Sequence, residues 1–148
     1  MTVKDVLKLK RKFDMLKVPA DKRYLVLEPR HVEDLIVEDL KAFKDITDIT
    51  NGVPKKFAGF FILEYGENAR YNVNTRQKRA FSSIAEATDT YSSFAFSSNE
   101  VMKADGTVNV YSRENDPELR ATVIGFDKRF IALPIRNKAI GAIISGKI

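Results

Sequence analysis

Cysteine is absent from the 148 residues, which excludes disulfide staples, Cys-based zinc sites and thiol nucleophiles, and permits a reducing compartment. No apolar run approaches the roughly 18 residues that a membrane-spanning helix needs. The N-terminal MTVKDVLKLKRKF has charges but no apolar h-region, so it does not read as a secretory signal. These absences predict a soluble, intracellular product. Histidine is nearly missing as well. His31 stands alone, with Glu28 nearby but no nucleophile beside it in sequence, and reads as a surface or helix-terminal residue. One histidine and no cysteine leave only carboxylates for a metal, and the acidic groups of 28–48 lack the spacing of a calcium loop.

Phosphate loops are missing too. No G-x-G-x-x-G or G-K-[ST] pattern occurs among the seven glycines, and the run from Gly141 to Gly146 has no helix after it to cradle an anion. Ser82-Ser83, Ser92-Ser93 and Ser97-Ser98 do not form nucleophile elbows, and nothing marks a carboxylate pair for glycoside hydrolysis. The expectation is therefore no enzyme, with no catalytic, cofactor-binding or metal residues, no cofactor and no small-molecule substrate.

What is present is an ordinary globular composition, 44% hydrophobic and 30% charged, with a net charge of +5 in blocks. Residues 1–17 are basic, 28–48 acidic, and basic residues return at Arg70, Arg76, Lys78 and Arg79 and again from Arg120 to Lys147. Blocks of opposite sign suit self-association, in which the basic face of one copy meets the acidic face of another. A nucleic-acid binder would more often show one continuous basic face interleaved with aromatics. Arg70 to Arg79 with Tyr71 among them could still grip phosphates weakly, which keeps a small basic nucleic-acid-binding domain as the alternative.

Periodicity predicts a helix over 3–17 with Val6, Leu9, Phe13 and Leu16 on one stripe, ended by Pro19. A strand follows over 24–27. Pro29 then opens an acidic helix whose apolar face is Val32, Leu35, Ile36, Leu40 and Phe43. Asn51-Gly52 marks a sharp turn, and Phe57 to Tyr65 reads as a strand buried on both faces. Residues 66–79 read as a long exposed loop. Tyr91, Phe94 and Phe96 favour a strand, Ser98 caps a short helix over Asn99 to Ala104, and Val108 to Tyr111 is a strand stopped by Glu114 to Pro117. Two β segments close the chain, Ala121–Ile135 and Lys138–Ile144. Early alternation of helix and strand with late strands predicts an α+β fold with a mixed sheet and flanking helices. The expected core is Leu25, Leu27, Leu35, Ile36, Phe43, Phe60, Ile62, Phe94 and Phe96.

The order of these features resembles the C-terminal part of the tailed-phage major capsid subunit, the Hong Kong 97-type fold. The resemblance runs through Lys17-Val18-Pro19, Arg23, Tyr24 to Leu27 and Pro29 with its helix. It continues in Ala58 to Ile62, Ser93 to Phe96, Asn99 to Ala104, Arg113 to Pro117, and the closing segment with Arg136 and Ile140 to Ile144. Residues 66–92 have no counterpart. The resemblance implies an axial-like domain over 18–125, a helix of the peripheral-domain side over 1–17, and return β segments over 126–148. The N-terminal arm, extended loop and most of the peripheral domain are expected to be missing from this chain. It further implies a structural coat protein of a phage or prophage, self-assembling into an icosahedral shell. The expected locations are the virion and, during assembly, the bacterial host cytoplasm. The partners are then copies of itself and other capsid subunits, with at most weak nucleic-acid contact and no membrane. The candidate inter-subunit surface is Val6, Leu9, Phe13, Leu16, Arg70, Arg76, Lys78 and Arg79. Residues 1–17 and 126–148 are expected side by side, away from the acidic helix.

Overall fold

The structure is a computed structural model and describes residues 1–146; the last two positions of the expected return segment lie outside the described residues. The first helix, α1 (Val3–Met15), starts where the Asp5 carboxylate accepts from the Thr2 backbone N–H at 3.1 Å and the Thr2 hydroxyl at 2.8 Å. Its 3-4 spacing buries Val6, Leu9 and Phe13, while Leu16 lies beyond the helix and is exposed. The chain turns through Lys17 at positive φ. It is held there by the buried Arg23, whose guanidinium donates to the carbonyls of Pro19 (2.8 Å) and Val18 (2.5 Å) and to Asp14 (2.7 Å). Arg23 opens β1 (Arg23–Leu27), so the basic residue before the strand ties α1 to the sheet.

Pro29 is the first residue of α2 (Pro29–Glu38), and the Glu28 carboxylate caps it by accepting from the Arg30 N–H at 2.9 Å. The acidic helix is shorter than the apolar spacing suggests. Asp39 is extended (φ −151°, ψ 92°), and its carboxylate accepts from the N–H groups of Lys41 and Ala42. A separate single turn, α3 (Leu40–Phe43), follows, with Phe43 buried and Leu40 exposed. Aspartate competes with the helix by capping a new one.

Two tight hairpins come next, β2 (Ile49–Thr50) with β3 (Val53–Pro54) and β4 (Lys56–Phe57) with β5 (Phe60–Glu64). Each has a two-residue loop in which both residues have positive φ, Asn51-Gly52 and Ala58-Gly59. The expected single strand from Phe57 is thus folded back at Gly59. Burial along β5 alternates, with Phe60 and Ile62 fully buried and Phe61 and Leu63 half-buried, so only one face is sealed.

Residues 66–90 fold back on themselves. Short strands β6 (Tyr71–Asn72) and β7 (Asp89–Thr90) pair, Arg70 donates to the Ser83 carbonyl at 2.6 Å, and Arg79 reaches Glu86 and Asp89. A loop cross-tied in this way is an ordered excursion, where the sequence suggested an unstructured one.

Strand β8 (Ser92–Ser97) completes the middle of the sheet. A three-residue 3-10 turn, Ser98–Glu100, replaces the helix expected over 99–104. From there the chain runs out along β9 (Val101–Asp116) and returns along β10 (Ala121–Pro134), then enters β11 (Ile140–Ile144) through a second 3-10 turn, Asn137–Ala139. The fold is α+β. Its mixed five-stranded sheet has the order β11-β8-β1-β5-β4, with β1 and β5 parallel and the other neighbours antiparallel.

One apolar cluster joins Val6, Leu9 and Phe13 of α1 to Leu25, Leu27, Leu35, Phe43, Phe60 and Ile62. The edges of Phe13 and Phe60 meet face to edge at 5.4 Å. Residues 1–17 therefore share the core of the sheet and do not form a separate unit, and the boundary expected at 125/126 falls inside β10. Two expected core residues are displaced. In the strand SSFAFS the small residues Ser93, Ala95 and Ser97 point inward and are fully buried, while Phe94 and Phe96 face outward and are half-buried. Close packing of α1 on β11 explains the choice: a Cβ at Gly141 would lie 2.7 Å from Leu9 Cδ1. Among the described residues no helix is long and apolar enough to cross a membrane.

Candidate functional site

The single histidine is helix-terminal, one of the two expected positions, but it is interior and not on the surface. His31 is 1% exposed. It lies where α2 brings its first turn against β8 and the end of β11, with Nδ1 2.7 Å from Ser93 Oγ and Nε2 2.5 Å from Ser145 Oγ. A histidine between two serines has the hydrogen-bond geometry of a nucleophile and its base, and the surroundings weigh against that reading. Ser93 is fully buried, and its Oγ also accepts from the Glu28 N–H at 3.0 Å, so no substrate reaches it. The ring can act as a base for Ser145 only in the tautomer with the proton on Nδ1, which takes away the acceptor of the buried Ser93 hydroxyl. Burial holds the His31 pKa below its ordinary value; the Met1 ammonium lowers it further, and Asp34 and Asp5 partly oppose the shift. The ring is a neutral polar tie between α2 and the sheet. Among the described residues no three His, Asp or Glu side chains gather as metal ligands.

The acidic helix also meets the N-terminal segment directly. The Met1 ammonium pairs with Asp34, and the Val3 N–H donates to Glu38 at 2.8 Å. Residues 1–17 and β11 are indeed neighbours, with Leu9 and Phe13 against Gly141, but they lie beside α2 and not away from it.

The eight candidate surface residues do not form one surface. Val6, Leu9 and Phe13 are buried in the chain's own core and are closed to a partner, which leaves Leu16 as the exposed member of that stripe. The four basic residues divide between two open clefts. Arg76 shares a cleft of about 660 Å³ with Thr2, Lys8, Lys12, Asp34 and Ser145. Arg70, Lys78 and Arg79 line another of about 650 Å³ with Phe81 and Tyr91. Arg79 is neutralised by two carboxylates and Arg70 is engaged by a carbonyl, so the concentrated positive field a phosphate backbone requires is not assembled there.

The outer face of the sheet carries aromatics, among them Phe94 and Phe96, which the sequence reading assigned to the core. Phe61, Tyr24 and Phe96 stand in one cross-strand row, with ring centroids 5.4 and 5.5 Å apart and planes 29° and 21° from parallel. Lys56 Nζ lies 4.4 Å from the Phe61 centroid. Rings stacked on each other present edges to the outside. A base needs a free ring face, so this row is not a stacking platform for nucleic acid. It suits apolar protein contact.

A large open feature is the two-stranded ribbon of β9 and β10; β10 matches the β segment expected over Ala121–Ile135, whereas β9 runs through the positions read as a short helix, a short strand and a turn. The ribbon's register pairs Val110 with Phe126 and Ser112 with Ile124, and runs from Pro134↔Val101 to Ala121↔Asp116. Between Asp105↔Phe130 and Val108↔Lys128, Gly106 and Thr107 oppose Arg129 in a bulge. Glycine fits that bulge because a Cβ at 106 would meet the Arg129 carbonyl oxygen at 3.0 Å. Since cross-strand partners share a face, Val108, Val110, Ile124, Phe126 and Phe130 lie on one side of the ribbon, 55–70% exposed. Asn109, Asp127 and Arg129 lie on the other, together with Met102, Tyr111, Ile131 and Leu133. Alternation of Val108, Val110 and Ser112 against Asn109, Tyr111 and Arg113 was the available signal, hidden by the bulge between 105 and 108.

No protein-family model matches the chain, and no curated protein and no solved structure matches it.

Proposed function

We propose that this chain is a structural, self-associating subunit, a coat-protein unit of the tailed-phage type that packs with copies of itself and other shell subunits. The observation that carries the proposal is the ribbon of residues 101–134, whose apolar side chains project outside the core with nothing of their own chain to cover them. Exposure of several large apolar side chains on one face marks a protein contact in a soluble molecule. The order of elements that resembles the capsid subunit supports the shell reading. The virion, and the bacterial host cytoplasm during assembly, are the locations that go with it. Function on this reading lies in surfaces and not in a pocket.

The test is to purify the chain, raise its concentration, and follow it by light scattering and negative-stain electron microscopy, alone and with the other structural proteins of its source. Assembly into closed particles or regular sheets is the expected result. Failure to join any ordered assembly in either setting overturns the coat reading.

A further inference from the structure

We infer that the apolar face of the ribbon is covered by the same face of a second copy, so that two ribbons stack into a two-layer, four-stranded unit about a two-fold axis. The inference rests on the reading of the chain as a self-associating subunit and names the partner of its most exposed surface. It starts from a stability argument. A two-stranded ribbon is marginal in water, and strands of 16 and 14 residues gain little from their own pairing unless a face is buried.

The two sides of the ribbon differ in degree: the Phe126 side carries both phenylalanines and the higher exposures, the other Met102, Tyr111, Val123, Ile131 and Leu133 at 37–59%. Phe126 and Phe130 are each 70% exposed and sit four residues apart on β10, with Ile124, Val108 and Val110 beside them. With about 150–250 Å² for each aromatic ring, the face offers on the order of 600 Å². A standard interface buries about 800 Å² per partner, a value reached once the alkyl stems of Lys103 and Lys128 at the margin are included. Asp105 pairs with both of those lysines, at 3.0 and 3.6 Å, which lowers the cost of bringing two such faces together.

Charge selects the occupant. Between residues 101 and 134 five basic side chains (Lys103, Arg113, Arg120, Lys128, Arg129) meet five acidic ones (Asp105, Glu114, Asp116, Glu118, Asp127), so the ribbon is neutral on a chain of net charge +5. Two copies approaching through their bodies repel, and through their ribbons they do not. With no net charge, the ribbon has no excess positive charge to draw a polyanion or an acidic membrane. Its apolar face matches in width the same face of another copy, at the roughly 10 Å separation of packed sheets. Asn109, Tyr111, Asp127 and Arg129 then remain on the outside.

The absence of cysteine makes the test clean. Single cysteines placed at Val108, Val110 or Ser112 on the apolar side, and at Asn109 or Tyr111 on the other, are joined with a short bis-maleimide in the full chain. Covalent dimers from the first set and not the second are expected; equal yields from both sets, or none from the first, overturn the inference. Sedimentation supplies the second measurement. Phe126→Lys should weaken self-association about 30-fold or more, as for a central aromatic anchor, and Asn109→Lys, with the same added charge on the opposite face, should not. Unchanged association in Phe126→Lys, or a wild-type chain that stays monomeric at all concentrations, sinks the ribbon pair. Electron microscopy separates the two readings: ribbon dimers that never enter ordered assemblies keep the pair and remove the coat role. Normal assemblies formed by Phe126→Lys keep the coat role and remove the pair.

Discussion

The body of this protein and its ribbon are built from similar proportions of apolar side chains, and the body seals a core from part of them while the ribbon seals none. In the body, α1 and α2 close one face of the sheet, and Leu25, Leu27, Leu35, Phe60 and Ile62 lose contact with water. In the ribbon, phenylalanines of the same size remain 70% exposed because no third element lies over them. The difference shows that burial here follows topology. A residue type sets how much stabilisation is available, and the connection of the chain decides whether the subunit collects it alone or with a partner.

The largest expected effect tests that contrast at matched chemistry. Phe60→Ala should lower stability by about 3–5 kcal/mol, because it opens a cavity against Phe13 in the sealed layer. Phe126→Ala in dilute monomer should change it by no more than about 0.5 kcal/mol. Urea denaturation of both variants is the measurement. A loss from Phe126→Ala comparable to that from Phe60→Ala would show that the ribbon is packed within the subunit.

Glycines give a second matched pair. A Cβ at position 141 would lie 2.7 Å from Leu9 Cδ1 and 3.2 Å from Phe13 Cε2, both locked in the core, so Gly141→Ala should cost about 1–3 kcal/mol by overpacking. At Gly125, in the ribbon, the nearest neighbour of a new methyl is Tyr111 Cβ at 4.0 Å, and Gly125→Ala should be neutral or slightly stabilising. Thermal melts of the two would rank them.

His31 provides a pH test confined to the body. Its folded pKa is lowered, so below the ordinary value of about 6.5 the unfolded chain takes up a proton that the folded chain refuses. Stability should be flat above that pH and fall as pH drops from about 6.5 through the lowered folded value. The Asp5 and Asp14 carboxylates, also lowered, add their loss only in the more acidic range below 3.8. His31→Ala should abolish the slope near pH 6. At neutral pH it should cost about 1–3 kcal/mol, because the buried Ser93 hydroxyl loses its acceptor. A wild-type profile already flat from pH 7 to 5 would show that the ring is not held neutral.

These contrasts also show how far the sequence could be read. The 3-4 spacing of Val6, Leu9 and Phe13, proline at the start of α2, and Asn51-Gly52 are local signals, and each marks the element it should. Six of the nine expected core residues are fully buried or nearly so, four because strands β1 and β5 carry unbroken apolar runs and two, Leu35 and Phe43, because they lie on the apolar spacing of α2 and α3. The failures share a different cause. Phe94 and Phe96 outrank Ser93, Ala95 and Ser97 in hydrophobicity, yet the tight approach of α1 to Gly141 leaves the inner side of that sheet region room only for small residues. Val6, Leu9 and Phe13 look like a surface stripe only while β11, more than a hundred residues away, is out of view. His31 is interior for the same reason, since its second serine comes from position 145. Of the ribbon, β10 was legible as one continuous segment and β9 was not, because the register shifts opposite Arg129 and between Arg113 and Asp116 break its alternation.

The smallest expected effect comes from the most drastic change. The core cluster contains no residue between 101 and 134, so the body should not need the ribbon to fold. Val101 and Pro134 are cross-strand partners at its base, which lets the ribbon be removed and the two strand ends joined by a two-residue Asn-Gly turn suited to a hairpin. The tie below the cut, in which the Ile135 N–H donates to the Glu100 carbonyl at 2.7 Å, is retained. Such a deletion should leave the monomer's melting temperature within about 4 °C of the wild-type value, the shift that roughly 1 kcal/mol produces in a domain of this size. It should also abolish association through the ribbon. A deletion mutant that melts far lower would mean that the body draws stability from the ribbon, and the division between a sealed layer and an open one would then fail.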